Sequence, residues 1–474
     1  MIRDGAFTIF GLGKSGLAAL DVLTTTGADV IAVDSNEAAV EQALRDFPGV
    51  TIRCLTDAHQ AADFIGSDPQ RIIVISPGVP PSHPVYSLPM QIWGEVELAW
   101  RVQTEIVSAD VPWVGVTGTN GKTTTAAMAQ SIGRAAGLEV MAVGNIGEPL
   151  VIAAARGGWD FLVVELSSFQ LHSAPSLSLS AAACLNVSPD HIDWHGSFES
   201  YRADKARIYE HSRIAAIYNV AAPETFDMVM NADVVQGCRA IGISTAAPAI
   251  SQLGVVDDLI VDRAFTEKRR DEAIELATFA DLKHLGGFVA GTPILTDALA
   301  AAALTRAVNV PAAAVAEGLR GYQPKPHRRA VIGEQAGITW IDDSKATNAH
   351  AAEASLAGLP PHSVVWIVGG DAKGQKFDEL VAQVRPVLRG AVLIGADQSA
   401  FLSAFAREAP DLPVVAVTEQ DPEAIMSTVV HEAIALSGAG SSVILAPATA
   451  SWDQFDNYGQ RGDLFAAAVA ALEE

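Results

Sequence analysis

At 474 residues, 49% of them apolar, the chain is too long for one hydrophobic core and can fill about three. A formal charge of −24, from 31 basic and 55 acidic residues, argues against a broad nucleic-acid or anionic-lipid surface, so any anionic ligand has to meet locally placed cations. No uninterrupted apolar run reaches the ~18 residues of a membrane span, and the start MIRDGAFTIFGLG lacks a signal-peptide layout, so a cytoplasmic protein without membrane insertion is expected. Cys54, Cys184 and Cys238 are odd in number, widely spaced and outside any CxxC, which predicts buried inert thiols rather than a disulfide framework or a zinc site.

Short Val/Ile runs (VIAVD, RIIVIS, FLVVEL, VVWIVGG, AVLIG, SSVILAPA) alternate with alanine-rich helical stretches along the chain. That rhythm predicts an α/β protein whose parallel strands lie buried under helices. Three modules are read: a Rossmann-like one over 1–101, a central P-loop-type mononucleotide-binding sheet over 102–326, and a C-terminal Rossmann-like one over 327–474.

In the first module FTIF runs into GLGKSG, where Gly11, Gly13 and Gly16 fit G-x-G-x-x-G, and a helix through Thr26 leads to the strand VIAVD. Asp34 closes that strand near the distance at which an acid meets a ribose or other sugar hydroxyl. NAD, FAD and a UDP-type nucleotide all remain open. RIIVIS ends in Ser76-Pro77-Gly78, which is either a ligand-facing turn at the carboxyl edge of the sheet or a structural one, and a helix is expected over 91–101.

The second module opens with TGTNGKTTT (117–125), between the apolar run 111–116 and the helix former AAMAQSIGRAA. A buried strand turning into a helix there can hold a nucleotide phosphate: Gly118 and Gly121 let the backbone approach, N–H groups point at the anion, Lys122 adds charge and Thr123 offers a hydroxyl to Mg²⁺. The usual first glycine of the P-loop pattern falls on Val116, so the motif is a relative of the common loop. Further along lie GNIG (144–147), Glu165 at the tip of FLVVE, and His191 in the polar loop NVSPDHIDWH. An acid at a strand tip beside the phosphate-loop strand can hold Mg²⁺ directly or through water.

Pro324 and Pro326 mark the linker to the third module. Asp342, Asp343, Lys345 and Thr347 follow one strand there, Asp371 and Lys373 a second, and Ser451 and Tyr458 a third. Three such clusters are expected to converge on one sheet edge as a second-substrate site across a cleft from the phosphate loop.

The ordered set GLGKSG, TGTNGKTTT, GNIG, ELSSFQL, DHIDWH, DKARIYE, PHR, DDSKATN, GGDAKG and ATASWDQF resembles, essentially end to end, the Mur ligases of peptidoglycan precursor synthesis. DDSKATN and SWDQF resemble the D-glutamate-adding branch of that family. The resemblance implies an ATP- and Mg²⁺-dependent ligase that adds D-glutamate to UDP-N-acetylmuramoyl-L-alanine through an acyl phosphate, the first module taking the UDP part through Ser15, Asp34, Ser35 and Gly78.

It further implies that Gly118, Thr119, Asn120, Gly121, Lys122, Thr123 and Thr124 hold ATP, with Lys122 on the β- and γ-phosphates and Arg328 and Asp343 closing over the nucleotide. Lys122, Glu165, His191 and Lys205 form the implied catalytic set, and Thr123, Glu165, His191 and Lys205 the metal-binding one. His191 would also contact the substrate, near whose acyl end Asn145 is placed. Lys345, Thr347, Lys373, Ser451 and Tyr458 match the D-glutamate positions, Tyr458 standing where relatives often have phenylalanine. By spacing alone Lys205 is an exposed helical lysine paired with Asp204 or Glu210; the resemblance implies instead a carbamate formed with CO₂, an anionic oxygen ligand for Mg²⁺. A monomer is expected.

One stretch departs from the family pattern. Its His-Asn-x-x-Asn, which contacts the adenine region, is here Pro293-Ile294-Leu295-Thr296-Asp297, so those asparagine contacts are missing. Pro293 suits a helix start and Asp297 a capping or accepting role. Rival readings are another Mur ligase or a folylpolyglutamate synthase-like ligase, an oxidoreductase that would leave the phosphate loop unexplained, and a non-catalytic regulator, against which Lys122, Glu165, His191 and Lys373 speak.

Overall fold

The computed structural model describes residues 2–107, 110–285, 292–335 and 337–473. The chain forms two compact units, Met1–Ala277 with Thr296–Gly321, and Thr278–Leu295 with Tyr322–Glu474. Both are α/β, built on mainly parallel sheets.

The first unit holds two sheets. Its five-stranded sheet is parallel throughout, in the order Thr51–Cys54, Asp29–Asp34, Ala6–Phe10, Ile72–Ile75, Ile92–Gly94. This is the Rossmann strand order, and it sets the turns after Phe10, Asp34 and Ile75 side by side at one edge. The helix expected over 91–101 is divided: Ile92 and Trp93 pair with Ile73 and Val74 as an edge strand, and the helix Glu95–Val102 starts only after Gly94. Its acidic first turn favours starting there, because Glu95 and Glu97 face the positive end of the helix dipole.

The nine-stranded sheet contains the parallel run Val140–Gly144, Phe161–Glu165, Trp113–Thr117, Ala181–Cys184, Ala215–Asn219, Arg239–Ile243, Gln252–Val256, extended by antiparallel Leu259–Asp262 and then Ile274–Thr278. From Trp113–Thr117 the chain moves out to the edge, returns one strand short, then crosses to the other side. Strand order therefore reverses around Trp113–Thr117, and the loops after it, after Glu165 and after Cys184 open on one crevice. Trp113, Val114, Val116, Leu162, Val163 and Val164 are completely buried beneath that crevice.

Two buried glutamates fasten the two sheets together. Glu95 accepts the Val151 N–H at 2.7 Å and Glu97 the Ser176 N–H at 2.9 Å, and burial pushes the Glu95 carboxyl up to about 7.

In the second unit the sheet order is Ala330–Gln335, Ile338–Asp342, Ser442–Leu445, Val364–Gly369, Leu388–Ile394, Val414–Ala416; the first pair is antiparallel and the rest parallel. Trp340 and Trp366 lie fully buried on it. Of the cysteines only Cys184 is buried, and the expectation of three buried thiols fails at Cys54, which ends a short edge strand and is exposed, and at Cys238, which is half-buried. No helix among the described residues is long and apolar enough to cross a membrane.

Candidate functional site

The phosphate loop joins Trp113–Thr117 to the helix Lys122–Ala135. Gly121 is its N-cap, at φ 86, a left-handed conformation that a side chain would strain; a Cβ there would lie 2.3 Å from Asp297 Oδ1. The loop is braced from the segment after Cys184: the Asn120 N–H donates to Asn186 Oδ1 (2.9 Å), and Thr119 Oγ1 accepts the Ser188 N–H (2.9 Å) and meets the Tyr201 hydroxyl (3.0 Å). The helix N-terminus and its first N–H groups are of the kind that can hold an anion. Asp297, from the stretch that departs from the family pattern, lies under this loop, accepts the Thr125 hydroxyl at 3.2 Å and is pushed by burial up to about 8. Pro293 does start the helix Pro293–Ala307.

Two of the expected residues meet a third, Glu165, which is 1% exposed. Thr123 Oγ1 donates to its Oε2 (2.8 Å) and Asn145 Nδ2 to its Oε1 (2.9 Å). A buried carboxylate beside a hydroxyl fits a hard cation that keeps waters and phosphate oxygens in its shell. Among the described residues no three His, Cys, Asp or Glu side chains are placed to hold a metal, so an ion here would complete its shell from substrate and solvent.

Lys122 Nζ donates to the carbonyls of Gly118 (2.7 Å) and Thr119 (2.9 Å). Lys205 reaches the same Gly118 carbonyl at 2.9 Å from the helix Phe198–Ala206, and its Nζ lies 4.6 Å from the Tyr201 ring centroid. The spacing-based reading of an exposed lysine paired with Asp204 or Glu210 is thus wrong: Lys205 is 2% exposed, and Asp204 points instead at His172 and His195. Burial, with Lys122 adding like charge, lowers the Lys205 amine to about 7. His191 stands a step away. At φ 52 it begins the turn Ile192–His195, half-exposed, with its ring 4.8 Å from Phe169 and 6.4 Å from Tyr201 and its Nε2 3.5 Å from Asp190.

At the edge of the five-stranded sheet the Gly11 N–H donates to Val33 O (2.8 Å) and the Ser76 N–H to Phe10 O (2.8 Å), which gathers GLGKSG, Asp34 and Gly78. Asp34 accepts the Leu12 N–H (2.5 Å) on one oxygen and the Asn36 N–H (2.7 Å) on the other, so it shapes the glycine turn from below. Ser15 lies in the first turn of the following helix, while Ser35 and Gly78 are exposed. Lys14 Nζ donates to Gly147 O and so ties GLGKSG to GNIG.

In the second unit the strands ending at Asp342, Leu445 and Gly369 are neighbours, and their loops do converge. Ala448 N–H donates to Ala346 O (2.9 Å), Asp371 N–H to Ala450 O (3.0 Å) and Ser344 Oγ to Tyr458 O (2.8 Å). Lys345 Nζ sits 4.3 Å from the Tyr458 ring centroid, and burial, then Arg328, lowers its pKa. Ser451 is buried, Thr347 half-buried, and Lys373 exposed in a left-handed turn at φ 48. Asp343 accepts the Arg329 N–H at 3.0 Å and is pushed by burial to about 6, so it anchors the loop that carries Arg328.

Two residues escaped the sequence reading. Tyr201 is fully buried between Thr119 and Lys205, and its spacing of one helical turn from Lys205 was the available signal. Arg461, completely buried, donates to Ser344 Oγ (3.0 Å), Ser344 O (2.9 Å) and Thr449 O (3.4 Å), binding two loops together; burial lowers it to about 10. No sequence signal separates Arg461 from a surface arginine.

Residues 116–304 match the Mur ligase middle domain and residues 327–449 the Mur ligase glutamate ligase domain. The chain is 49% identical over 473 residues to a UDP-N-acetylmuramoylalanine–D-glutamate ligase of Streptomyces avermitilis, with 98% of each protein covered. It is 42% identical over 483 residues to the protein of the same name from Thermobifida fusca, with 99% of each covered. Among solved structures, the fold resembles MurF ligase from Thermotoga maritima in complex with ADP (TM-score 0.57, 16% identity, 99% of this chain and 96% of that one). It also resembles the bifunctional folylpolyglutamate synthase/dihydrofolate synthase from Yersinia pestis (TM-score 0.53, 16% identity, 80% and 94%).

Proposed function

This chain belongs to the Mur ligase family, and from that premise we propose that it joins D-glutamate to UDP-N-acetylmuramoyl-L-alanine, with ATP activating the alanyl carboxylate. The observation that carries this reading is the end-to-end identity of 49% with ligases of that name.

A carboxylate oxygen of the substrate attacks the γ-phosphorus of ATP, ADP leaves, and the amine of D-glutamate then displaces phosphate from the acyl phosphate, losing a proton as the amide forms. The loop 118–124 and the N-terminus of Lys122–Ala135 hold the phosphates, and Lys122 exchanges its loop carbonyls for phosphate oxygens. Thr123 and Glu165 would hold Mg²⁺, which when bound offsets the repulsion between an approaching carboxylate and a triphosphate. Asn145 donates to Glu165 and orients it, and would stand beside the acyl end of the substrate. His191 and Lys205 would serve a second Mg²⁺.

For Lys205 this requires addition of CO₂ to the neutral amine, giving an anionic carbamate and one released proton. An amine lowered to about 7 is substantially uncharged at neutral pH and can react in that way.

Within 1–101, Ser15, Asp34, Ser35 and Gly78 form the edge proposed for the UDP part, and 102–326 carries the ATP chemistry. In 327–474, Lys345 and Lys373 supply two ammonium groups for a dicarboxylic amino acid, with Thr347, Ser451 and Tyr458 around them. Arg328 bears on the nucleotide, its loop held by Asp343. One chain contains every residue named, and a monomer is the proposed working unit.

The test is phosphate release from ATP and Mg²⁺ with UDP-N-acetylmuramoyl-L-alanine and, in turn, D-glutamate, L-alanine, a diamino acid and D-alanyl-D-alanine. Strict dependence on D-glutamate supports the reading; release driven by another amino acid reassigns the chain within the family.

A further inference from the structure

Three motifs (ELSSFQLH, DHIDWH and DKARIYE) each place a polar side chain in one hydrogen-bonded row that the roles above leave unused. Ser168 Oγ lies 2.9 Å from His195 Nε2, His195 Nδ1 lies 3.0 Å from Asp204 Oδ2, and His172 Nδ1 lies 2.9 Å from Asp204 Oδ1. Ser168, His195 and Asp204 are all buried, and Arg207 Nε sits 3.3 Å from Asp204 Oδ1. Donors and acceptors match when each Nδ1–H donates to the carboxylate and the Ser168 O–H donates to His195 Nε2, a pattern that needs the His195 ring neutral. Burial also holds His195 below the usual imidazole range, which favours the neutral ring.

The order Ser–His–Asp is that of a nucleophilic triad. Here it cannot act as one, because Ser168 is 2% exposed and Phe169, Trp194 and Tyr201 pack around His195 at ring distances of 5.4, 4.4 and 5.2 Å. What the row does join is the backbone carrying the proposed metal-binding side chains. Ser168 begins the helix Ser168–His172 just after Glu165, His195 closes the turn that starts at His191, and Asp204 immediately precedes Lys205.

We propose that Ser168, His195, Asp204 and His172 form a positioning network that sets the spacing of Glu165, His191 and Lys205, and thereby the affinity of the phosphate-loop site for its divalent cation. In this role the network acts through those three side chains, as outer-shell partners orient metal ligands elsewhere. It rests on the assignment of the metal-binding residues above.

The test uses the full chain and Asp204→Asn, which keeps the size of the side chain but sets an amide N–H against one imidazole N–H. Mn²⁺ binding in the presence of ADP, followed by electron paramagnetic resonance, should weaken about 10- to 100-fold. The Mg²⁺ concentration for half-maximal turnover should rise in step, while KM for D-glutamate stays unchanged. A folded variant with wild-type Mn²⁺ affinity overturns the proposal, as does a variant that loses thermal stability and kcat without any change in metal affinity. Should Asp204→Asn fail to fold, His172→Asn, at the half-buried end of the row, is read by the same Mn²⁺ titration and the same criterion. Wild-type protein without D-glutamate-dependent turnover would instead overturn the ligase assignment, and the Mn²⁺ comparison would still decide the network.

Discussion

Lys205 is a lysine amine removed from water and set beside a second ammonium, Lys122, with the Gly118 carbonyl shared between them. Its shift from 10.5 to about 7 corresponds to about 5 kcal/mol between its two protonation states. Between pH 7 and 10.5 the unfolded chain holds a proton that the folded chain has released, so this group makes stability rise with pH across that window; below about 7 the full cost of burying the cation is felt. In CO₂-free buffer, a ¹³C-labelled lysine resonance that is missing from Lys205→Met should therefore titrate near neutrality. Lys205→Met, which places an apolar side chain in the same space, should be more stable than wild type at pH 7 by several kcal/mol, about 3–5, with the gap closing towards pH 10. Adding ¹³C-bicarbonate should produce a carbamate resonance in wild type only, and the methionine variant should lose turnover. A Lys205 midpoint above pH 9, or a stability gap that does not change with pH, would refute the reasoning.

Gly121→Ala forces a side chain into a left-handed turn against Asp297 and should weaken ADP binding by about 1–3 kcal/mol; an unchanged ADP affinity by calorimetry would contradict the loop geometry. Asp297, at about 8, is mainly protonated at pH 7 and gains a negative charge under the loop as pH rises through 8, so ADP affinity should fall on that alkaline limb and Asp297→Asn should flatten it. Arg461→Met leaves the Ser344 and Thr449 carbonyls without their donor and should cost about 1–3 kcal/mol of stability, with KM for D-glutamate raised more than KM for ATP. Tyr458→Phe keeps the ring beside Lys345 and should leave KM for D-glutamate within about threefold, whereas Tyr458→Ala removes a contact of about 0.5–2 kcal/mol and should raise it.

The α/β rhythm, the phosphate loop and the three strand-end clusters were legible in the sequence because each is a local pattern. A Val/Ile run seeks burial on both faces, glycines permit a turn, and Lys-Thr at a helix start meets an anion, all within about ten residues of chain. The same reasoning misplaced the edge strand Ile92–Gly94, since only a partner such as Ile73 makes that segment a strand rather than the first turn of a helix. Lys205 on its own helix looks like a surface lysine; it is buried because Gly118, 87 positions away, comes to lie against it. Arg461 likewise becomes a structural centre only when Ser344, 117 positions away, returns to its guanidinium. The identity of the chemical groups is thus written along the chain. Which of them lose water, share a proton acceptor or face like charge depends on the order in which strands pair, and that order arises from contacts between residues that local pattern cannot bring together.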